Sequence, residues 1–553
     1  MDTIQTQVII VGGAVAGGSL ACALAYQGIH SVLLEKRKTP TDLNRGDGMQ
    51  PRSLEIMEEW GLLSAFEKAG AIPAYGIEMY HPFLGKLLEI DLGVVKTAHP
   101  HLLNLPHRDI EVLLLEHARK SGYCQILYGN ASDLIMEEGR AIGVSATIAG
   151  SEIEIYAPVI AGADGAQSAL RRKIGIEVAF QEYEHDLLVL HAQRPDWFTG
   201  KLRTRVFLHQ DGAAILLPLP DEKVRLALLV PAGQGGQWKM MTEEALLHQL
   251  IKRNPRLGDL KGIEKQGEHI YRMRKMHAPT YAAKGVVLLG DAAHVTHAAG
   301  GLGMNMALQD AHTLAAELAS AFQHRVSFDQ AYSNYERLRY PVNQGVIDRA
   351  EFMSKQLWTP SQRAFWGRAL SLAIPHYLLP FLWKKITTSL AWRNAGILTP
   401  TPAKRSPFPA LIVALYRLSQ GRIGGHSHQN PVLLLSTQQE NNKMHTVPLL
   451  FFPKGDQLLI VASNGGSDLP PQWYRNLQRN QQVILHIGST SQKALATVAD
   501  QDLHAELWPW LIERYAGLEA YQKKTPRQLA IILLQQEVPT EKKEPEFVAI
   551  GAK

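Results

Sequence analysis

A two-part α/β protein is predicted from three features of this 553-residue chain. Strand-like apolar runs alternate with helical patterns as far as about residue 350, which is the signature of an α/β layer architecture. The stretch from Thr399 to Pro409 then packs four prolines into a short span and breaks helix and strand alike. After it come short β-rich runs at Val432 to Ser436, Thr446 to Phe452, Gln457 to Ser463, Val483 to Ile487, Ala494 to Val498 and Ala530 to Leu534, which read as a small barrel. The composition, 46% hydrophobic and 20% charged, is that of an ordinary globular protein and excludes a disordered or fibrous chain. Two cysteines, Cys22 and Cys124, are too few for a disulfide framework, so a reducing compartment such as the cytoplasm is expected. The sequence shows neither a signal peptide nor a stretch long and apolar enough to be predicted as a transmembrane helix.

The first element is a strand, Thr6 to Val11, followed by the turn Gly12-Gly-Ala-Val-Ala-Gly-Gly18, an Ala/Leu-rich helix to Gln27, and a second strand from Ser31 that ends in Glu35. A glycine turn of this kind lays a pyrophosphate on the helix N-terminus, where unsatisfied N–H groups and the helix dipole favour negative charge. An acid after the second strand is placed to bind ribose hydroxyls. Ala14 stands where the second glycine of the pattern usually sits. Further on, Ala157 to Arg172 reads as a strand running into Asp164-Gly165 and a helix, and Gly285 to His294 as a strand ending at Gly290-Asp291. Gly300-Gly-Leu-Gly-Met-Asn305 then opens a helix whose apolar positions Leu308, Ala311, Leu314, Ala315 and Leu318 fall at helical spacing. Its three glycines let backbone approach a flat ligand, and its N-terminus favours negative charge there. His294 and His297 are three residues apart, but no third ligand completes a site, so no metal is expected.

In the order and spacing of these three motifs, residues 5 to 350 resemble the FAD-dependent aromatic hydroxylases, the para-hydroxybenzoate hydroxylase-like flavoprotein monooxygenases. The resemblance implies an FAD-binding Rossmann-like fold over 1–350, with an inserted substrate-binding β-sheet at about 75–106 and 180–275. It assigns Gly12, Ala14 and Gly17 to the diphosphate, Glu35 with Lys36 to the adenosine end, and Arg45 and Arg108 to the phosphates or ribityl. Asp291 falls to the ribityl chain, Gly303, Met304 and Asn305 to the isoalloxazine, and Asp164 and Arg171 to a stretch that touches both FAD and the nicotinamide. The implied reaction is reduction of FAD by NAD(P)H, capture of O2 as a flavin hydroperoxide, and hydroxylation or epoxidation of an aromatic, quinone-like or lipophilic substrate. His297 and Ala298 stand where the family usually has a proline beside the flavin. With Arg205 and Phe207 on predicted strand positions they are the candidates for the substrate pocket; Arg203, Ile215 and Leu217 alternate on the same stretch. Three alternatives stay open: an FAD-dependent dehydrogenase or reductase of a quinone or polyene, a dual-site electron-transfer protein with a second cofactor in the C-terminal barrel, and a non-catalytic membrane-surface scaffold.

The net charge of +5 is unevenly spread. From Phe352 to Gln439 there is no Asp or Glu but ten Lys and Arg, mixed with Trp358, Trp366, Tyr377, Phe381, Trp383 and Trp392, so the remainder of the chain is net acidic. Such a mixture describes an interfacial stretch, and peripheral contact with the inner face of a membrane through 352–439 is expected, with docking on another part of the chain or a second subunit as the plain alternative. Nothing resembles a nucleic-acid recognition motif. The segment 351–409 is assigned as a basic, aromatic helical stretch and Pro-rich linker. Residues 410–553 are assigned as a split β-barrel domain, and nearly all of 410 to 537 resembles the deazaflavin-dependent nitroreductase and quinone reductase family, in Leu415 to Gly425, Pro431 to Thr437, Thr446 to Leu450, Val461 to Gly466 and Pro471 to Leu477. That family binds its cofactor's phosphate tail with a basic loop, whereas here Gln438-Gln-Glu-Asn-Asn442 replaces it. A barrel retained without its cofactor is expected, serving the pocket, a partner or a homodimer.

Overall fold

The computed structural model describes residues 2–39, 46–359, 361–396, 407–422, 425–427, 430–439, 444–455, 457–466, 470–515, 517–522, 525 and 527–536. Arg45, most of the Pro-rich stretch, Glu440 to Asn442 and the C-terminal tail lie outside them. The chain divides into two compact units, Met1–Thr399 and Pro400–Lys553.

In the first unit, four short parallel strands form the centre of a nine-stranded sheet. Val8–Val11 lies between Ser31–Glu35 and Val159–Gly162, and Val286–Leu288 pairs with the last of these. All four are buried throughout and apolar apart from Ser31 and Glu35, because both faces are covered. Helices Val15–Tyr26 and Leu302–Phe322 pack against them, contributing Leu20, Leu24, Leu308 and Leu314 to one core. The glycine turn, Asp164-Gly165 and Gly290-Asp291 therefore emerge side by side at the carboxyl ends of adjacent strands, the place where open parallel sheets bind ligands.

An eight-stranded sheet forms the second layer, in the order His294–Val295, Glu264–His277, Gln181–Gln193, Lys223–Pro231, Ala214–Pro218, Thr204–Phe207, Gly76–His81 and Gly85–Asp91. Both of its faces are buried. One carries Leu187, Val189, Ala227, Leu229 and Met273 and is covered by Phe365, Ala369 and Trp383 from helices Gln362–Leu378 and Pro380–Asn394. The other carries Phe207, Leu188, Leu226 and Leu228 and packs on Trp238, Leu246 and Leu250. The basic, aromatic segment is thus a helical hairpin laid on the second sheet.

The second unit holds helix Pro407–Leu418 and an antiparallel split-barrel sheet. Asn430–Gln438 sits between Met444–Leu450 and Gln482–Ile487, and the path continues through Thr490–Val498, Ile531–Gln536 and Gln457–Val461. Leu433, Leu435, Ile460, Leu485, Ile532 and Trp473 form its core. No described helix of the chain is long and apolar enough to cross a membrane.

Candidate functional site

Two cavities open at the carboxyl ends of the parallel strands. One, of about 510 Å³, is lined by Gly12, Ala14, Glu35, Lys36, Arg37, Asp164 and Lys173. The other, of about 250 Å³, is lined by Asp291, Val295, Thr296, Ala298, Gly303, Met304, Met273 and Arg225, among others. Ala14, Ala163 and Gly165 line both, so the two are lobes of one groove.

The local backbone explains the shape. Gly12 has φ +102°, and a Cβ there would lie 2.4 Å from the Ala163 carbonyl oxygen. At Gly17 it would lie 1.8 Å from the Gly12 carbonyl oxygen, so the helix can start this close to the strand only without a side chain. Ala14 meets no such limit: at φ −68° it caps the helix Val15–Tyr26, and it lines both lobes of the groove. Glu35, at the end of its strand and 6% exposed, accepts from Gly13 N at 2.6 Å and from Arg37 N at 2.9 Å and Arg37 Nε at 3.0 Å. Asp164 Oδ2 accepts from Ala169 N and Leu170 N at 2.7 and 3.1 Å, whereas its buried Oδ1 has no hydrogen-bond partner among the described residues. On the other side, helix Leu302–Phe322 starts from Gly301 at φ +60°, with Gly303 and Met304 in its first turn. The groove thus has an acid at one end, two helix N-termini and several cations along it, and an apolar wall at Met273, Val295, Ala298 and Leu302. Its donors and shape suit a long ligand with a nucleoside end, an anionic middle and a flat ring, which is FAD.

Residues 5–350 match the FAD binding domain family. The chain belongs to that family. Residues 410–536 match the family of quinone reductases that depend on a reduced deazaflavin cofactor, so the second unit carries a domain of that split-barrel type. An uncharacterized aromatic compound monooxygenase of Bacillus subtilis is 27% identical over 362 residues, 64% of this chain and 69% of that one. Rifampicin monooxygenase of Streptomyces venezuelae is 28% identical over 346 residues, 62% of this chain and 69% of that one. In fold, the crystal structure of p-nitrophenol 4-monooxygenase from Pseudomonas putida superposes with a TM-score of 0.61 at 20% identity, covering 72% of this chain and 99% of that one. This FAD binding domain protein is accordingly an oxidoreductase of the FAD-dependent monooxygenase class.

Not every residue expected at the site reaches the groove. Gly12, Ala14, Glu35, Lys36, Asp164, Asp291, Gly303, Met304 and Ala298 line it. Gly17 lies beneath the turn, and Arg45 is outside the described residues. Arg108 is exposed on helix His107–Lys120 and lines neither lobe; its neighbour His107 does. Arg171, 2% exposed, donates to the carbonyls of Ala292 and Ala166 at 2.8 and 2.9 Å and so ties the Asp164 loop to the Asp291 turn. The Asn305 side chain is a buckle: Oδ1 accepts from Gln50 N and Ser53 Oγ, both at 2.8 Å, and Nδ2 donates to the carbonyls of Gly48 and Gly301, both at 3.0 Å.

Arg205 and Phe207 depart furthest from expectation. Phe207 is fully buried in the layer on the far side of the second sheet, away from Met273 and the groove. Arg205 Nε lies 3.2 Å from Glu78 Oε2, with its guanidinium over Phe198 at 4.6 Å. Neither lines a lobe, whereas Ile215 and Leu217 belong to the groove-side layer. Sequence reading also missed Arg225, whose Nη1 reaches Asp47 Oδ2 at 2.6 Å, both buried. The available signal was a lone cation inside the apolar strand Lys223–Pro231.

His297 is 1% exposed and sits behind the wall made by Thr296 and Ala298, its Nε2 2.7 Å from His185 Nε2 and its ring edge-on to Tyr183. Burial pushes His185 down to about 4, and burial together with the facing His185 pushes His297 down to about 3. The pair is therefore neutral at neutral pH and shares one proton between the two Nε2 atoms. Because the unfolded chain protonates these groups near pH 6.5, it binds more protons than the folded chain below that point. Their contribution is full above about pH 6.5 and falls as the pH drops toward 4, by about 1.4 kcal/mol per unit for each group. Thermal melts from pH 7 to pH 5 are expected to fall more steeply for the wild type than for a His185→Gln/His297→Gln double variant. Equal slopes would show that the pair is not held neutral by the fold.

Proposed function

We propose that the chain is an NAD(P)H-consuming FAD monooxygenase that hydroxylates or epoxidises an aromatic, quinone-like or lipophilic small molecule with O2. The observation that carries this reading is the two-lobed groove, polar from Glu35 to Asp291 and apolar where Met273, Val295, Ala298 and Leu302 close it. The monooxygenase names of its relatives and the aromatic substrates in them support the reading. When bound, FAD supplies two-electron transfer from a reduced nicotinamide and delivery of one oxygen atom from O2. The chain's residues do the rest. Backbone N–H groups in the first turn of helix Val15–Tyr26 would hold the diphosphate, Glu35 with Lys36 the adenosine ribose end, and Asp291 the ribityl hydroxyls. The N-terminus of helix Leu302–Phe322, at Gly303 and Met304, stabilises negative charge on the ring. The apolar wall excludes water from the reacting face and orients a flat, lipophilic substrate. The His185–His297 pair backs that wall without adding charge.

The test is to release and count cofactors from the full chain by mass spectrometry, then follow substrate turnover under 18O2. One FAD per chain, loss of that FAD in Asp291→Ala, and one 18O atom in the product are expected. The match of residues 410–536 to a quinone reductase family favours one alternative, reduction of a quinone. Quinol formed in equal amount to the NAD(P)H oxidised, with no 18O in any product, would establish it. A second flavin or a deazaflavin would make the barrel a redox centre, against the expectation that Gln438 to Asn442 cannot hold a phosphate tail.

A further inference from the structure

The helical hairpin Gln362–Asn394 presents two unlike faces. Phe365, Ala369, Ala373 and Trp383 are buried against the second sheet. On the outward side, around the joint at Leu379, stand Ile374 (50% exposed), Tyr377 (59%), Leu378 (71%), Leu379 (50%) and Phe381 (74%). The neighbouring loop is tied to the hairpin by Tyr377 Oη, which donates to the Leu84 carbonyl at 3.2 Å, and its Phe83 ring stacks on Trp366 further back along the helix, centroids 5.8 Å apart. Isolated exposed apolar residues need no explanation, but five large ones gathered around one joint do.

The charges beside them identify what the tip meets. Lys384 and Lys385 are exposed one turn further along, with Lys385 Nζ 4.4 Å from the Phe381 ring centroid. No Asp or Glu occurs between residues 352 and 439, so no acid of the hairpin itself offsets these cations. A cationic edge beside an aromatic and aliphatic tip complements a surface that is anionic outside and apolar just beneath. The two helices, of 17 and 15 residues, are too short to span a bilayer. We infer that the hairpin tip docks on an anionic lipid bilayer, with Leu378, Leu379 and Phe381 entering the headgroup region and Lys384 and Lys385 meeting lipid phosphates. The inference is independent of the reaction, because it rests on the outward side of the hairpin and not on the groove.

The experiment is co-sedimentation of the FAD-loaded full chain with phosphatidylcholine vesicles, with and without phosphatidylglycerol. The wild type binds the phosphatidylglycerol vesicles at low ionic strength and is released by high salt. Leu378→Ser/Phe381→Ser and, separately, Lys384→Glu/Lys385→Glu each lower partitioning about tenfold. Met240→Ser, at an apolar residue 83% exposed elsewhere on the surface, leaves binding unchanged. Flavin absorbance shows that each variant is folded. A wild type that stays in the supernatant with phosphatidylglycerol vesicles at low salt overturns the inference. So do tip variants that bind like the wild type, and so does a wild-type dimer that the same tip variants convert to monomer, which would mean that a second copy covers the tip.

Discussion

Replacing Asp310 by Asn is expected to empty the flavin site and to lower thermal stability further than any single change on the groove surface. Asp310 is completely buried inside helix Leu302–Phe322. Its Oδ1 accepts from Arg339 Nε at 2.7 Å and Asn343 Nδ2 at 3.0 Å, and its Oδ2 from His294 Nε2 at 2.5 Å and Gly290 N at 3.3 Å. Burial alone would raise its pKa, but His294, Arg339 and Asn343 outweigh it and hold the carboxyl well below the usual carboxylate range. The cluster joins three elements: the turn at Gly290, the helix that starts at the ring lobe, and helix Phe328–Leu357, which carries Arg339. Asn at 310 removes the charge and leaves the Arg339 guanidinium buried without its counter-ion, a loss of about 3–5 kcal/mol for a broken buried pair. Gly290, held at φ +60°, then loses its anchor, and the neighbouring Asp291 loses its position. By contrast, the exposed pair Lys120–Glu116 on helix His107–Lys120 contributes about 0–1 kcal/mol. Flavin absorbance of the purified variant and its melting curve check the expectation. Wild-type FAD content with a melting temperature within about 1 °C of the parent would show that the cluster does not hold the turn.

Asp310 is also the feature least legible in the sequence, and the reason is distance along the chain. Local patterns reveal the βαβ unit, because a glycine turn, apolar strands and an acid at the strand end fall within about 30 residues. The strands lie where expected, at Val8–Val11 and Ser31–Glu35, and Glu35 lines the groove. Asp310, His294 and Arg339 come from three separate elements, and only packing shows that they meet. The substrate sheet fails for a different reason. Alternation sorts side chains into two faces but cannot say which face meets the ligand when both are covered, and here the hairpin covers one while Trp238, Leu246 and Leu250 cover the other. Alternation therefore assigns Arg205 and Phe207 to the pocket although they belong to the far side, while Ile215 and Leu217 lie on the near one. Arg171 and Asn305 illustrate a third limit: a polar residue in a ligand-binding motif can spend its hydrogen bonds on the protein itself, holding loops in place. The basic segment is visible as composition alone. Its division into a buried side with Trp383 and an exposed side with Phe381 needs the hairpin's packing.

Gly17→Ala is expected to abolish stoichiometric FAD binding, whereas Ala14→Gly leaves it intact. The pattern is usually read as three equivalent glycines, but the structure separates their work. Gly12 lies between strands, its N donating to the Leu34 carbonyl at 2.8 Å, and its positive φ disfavours any side chain. Gly17 faces Gly12 across the first turn of the helix, and an added methyl would have to displace backbone, since the nearest atom, at 1.8 Å, is the Gly12 carbonyl oxygen. Overpacking of this kind costs about 1–3 kcal/mol, and relief by tilting the helix would carry its N-terminal N–H groups away from the groove, where they hold the diphosphate. Ala14 sits at an ordinary φ of −68° and lines the cavity, so a side chain there costs the fold nothing and bears only on the space left for the ligand. Removing that methyl widens the approach to the phosphates. The two variants are compared by titrating apo-protein with FAD and by melting each in the apo form. A Gly17→Ala protein that binds FAD as tightly as the wild type would mean that the helix can retreat from Gly12 without moving its N-terminus. Weaker FAD binding by Ala14→Gly would mean that the methyl itself packs on the ligand.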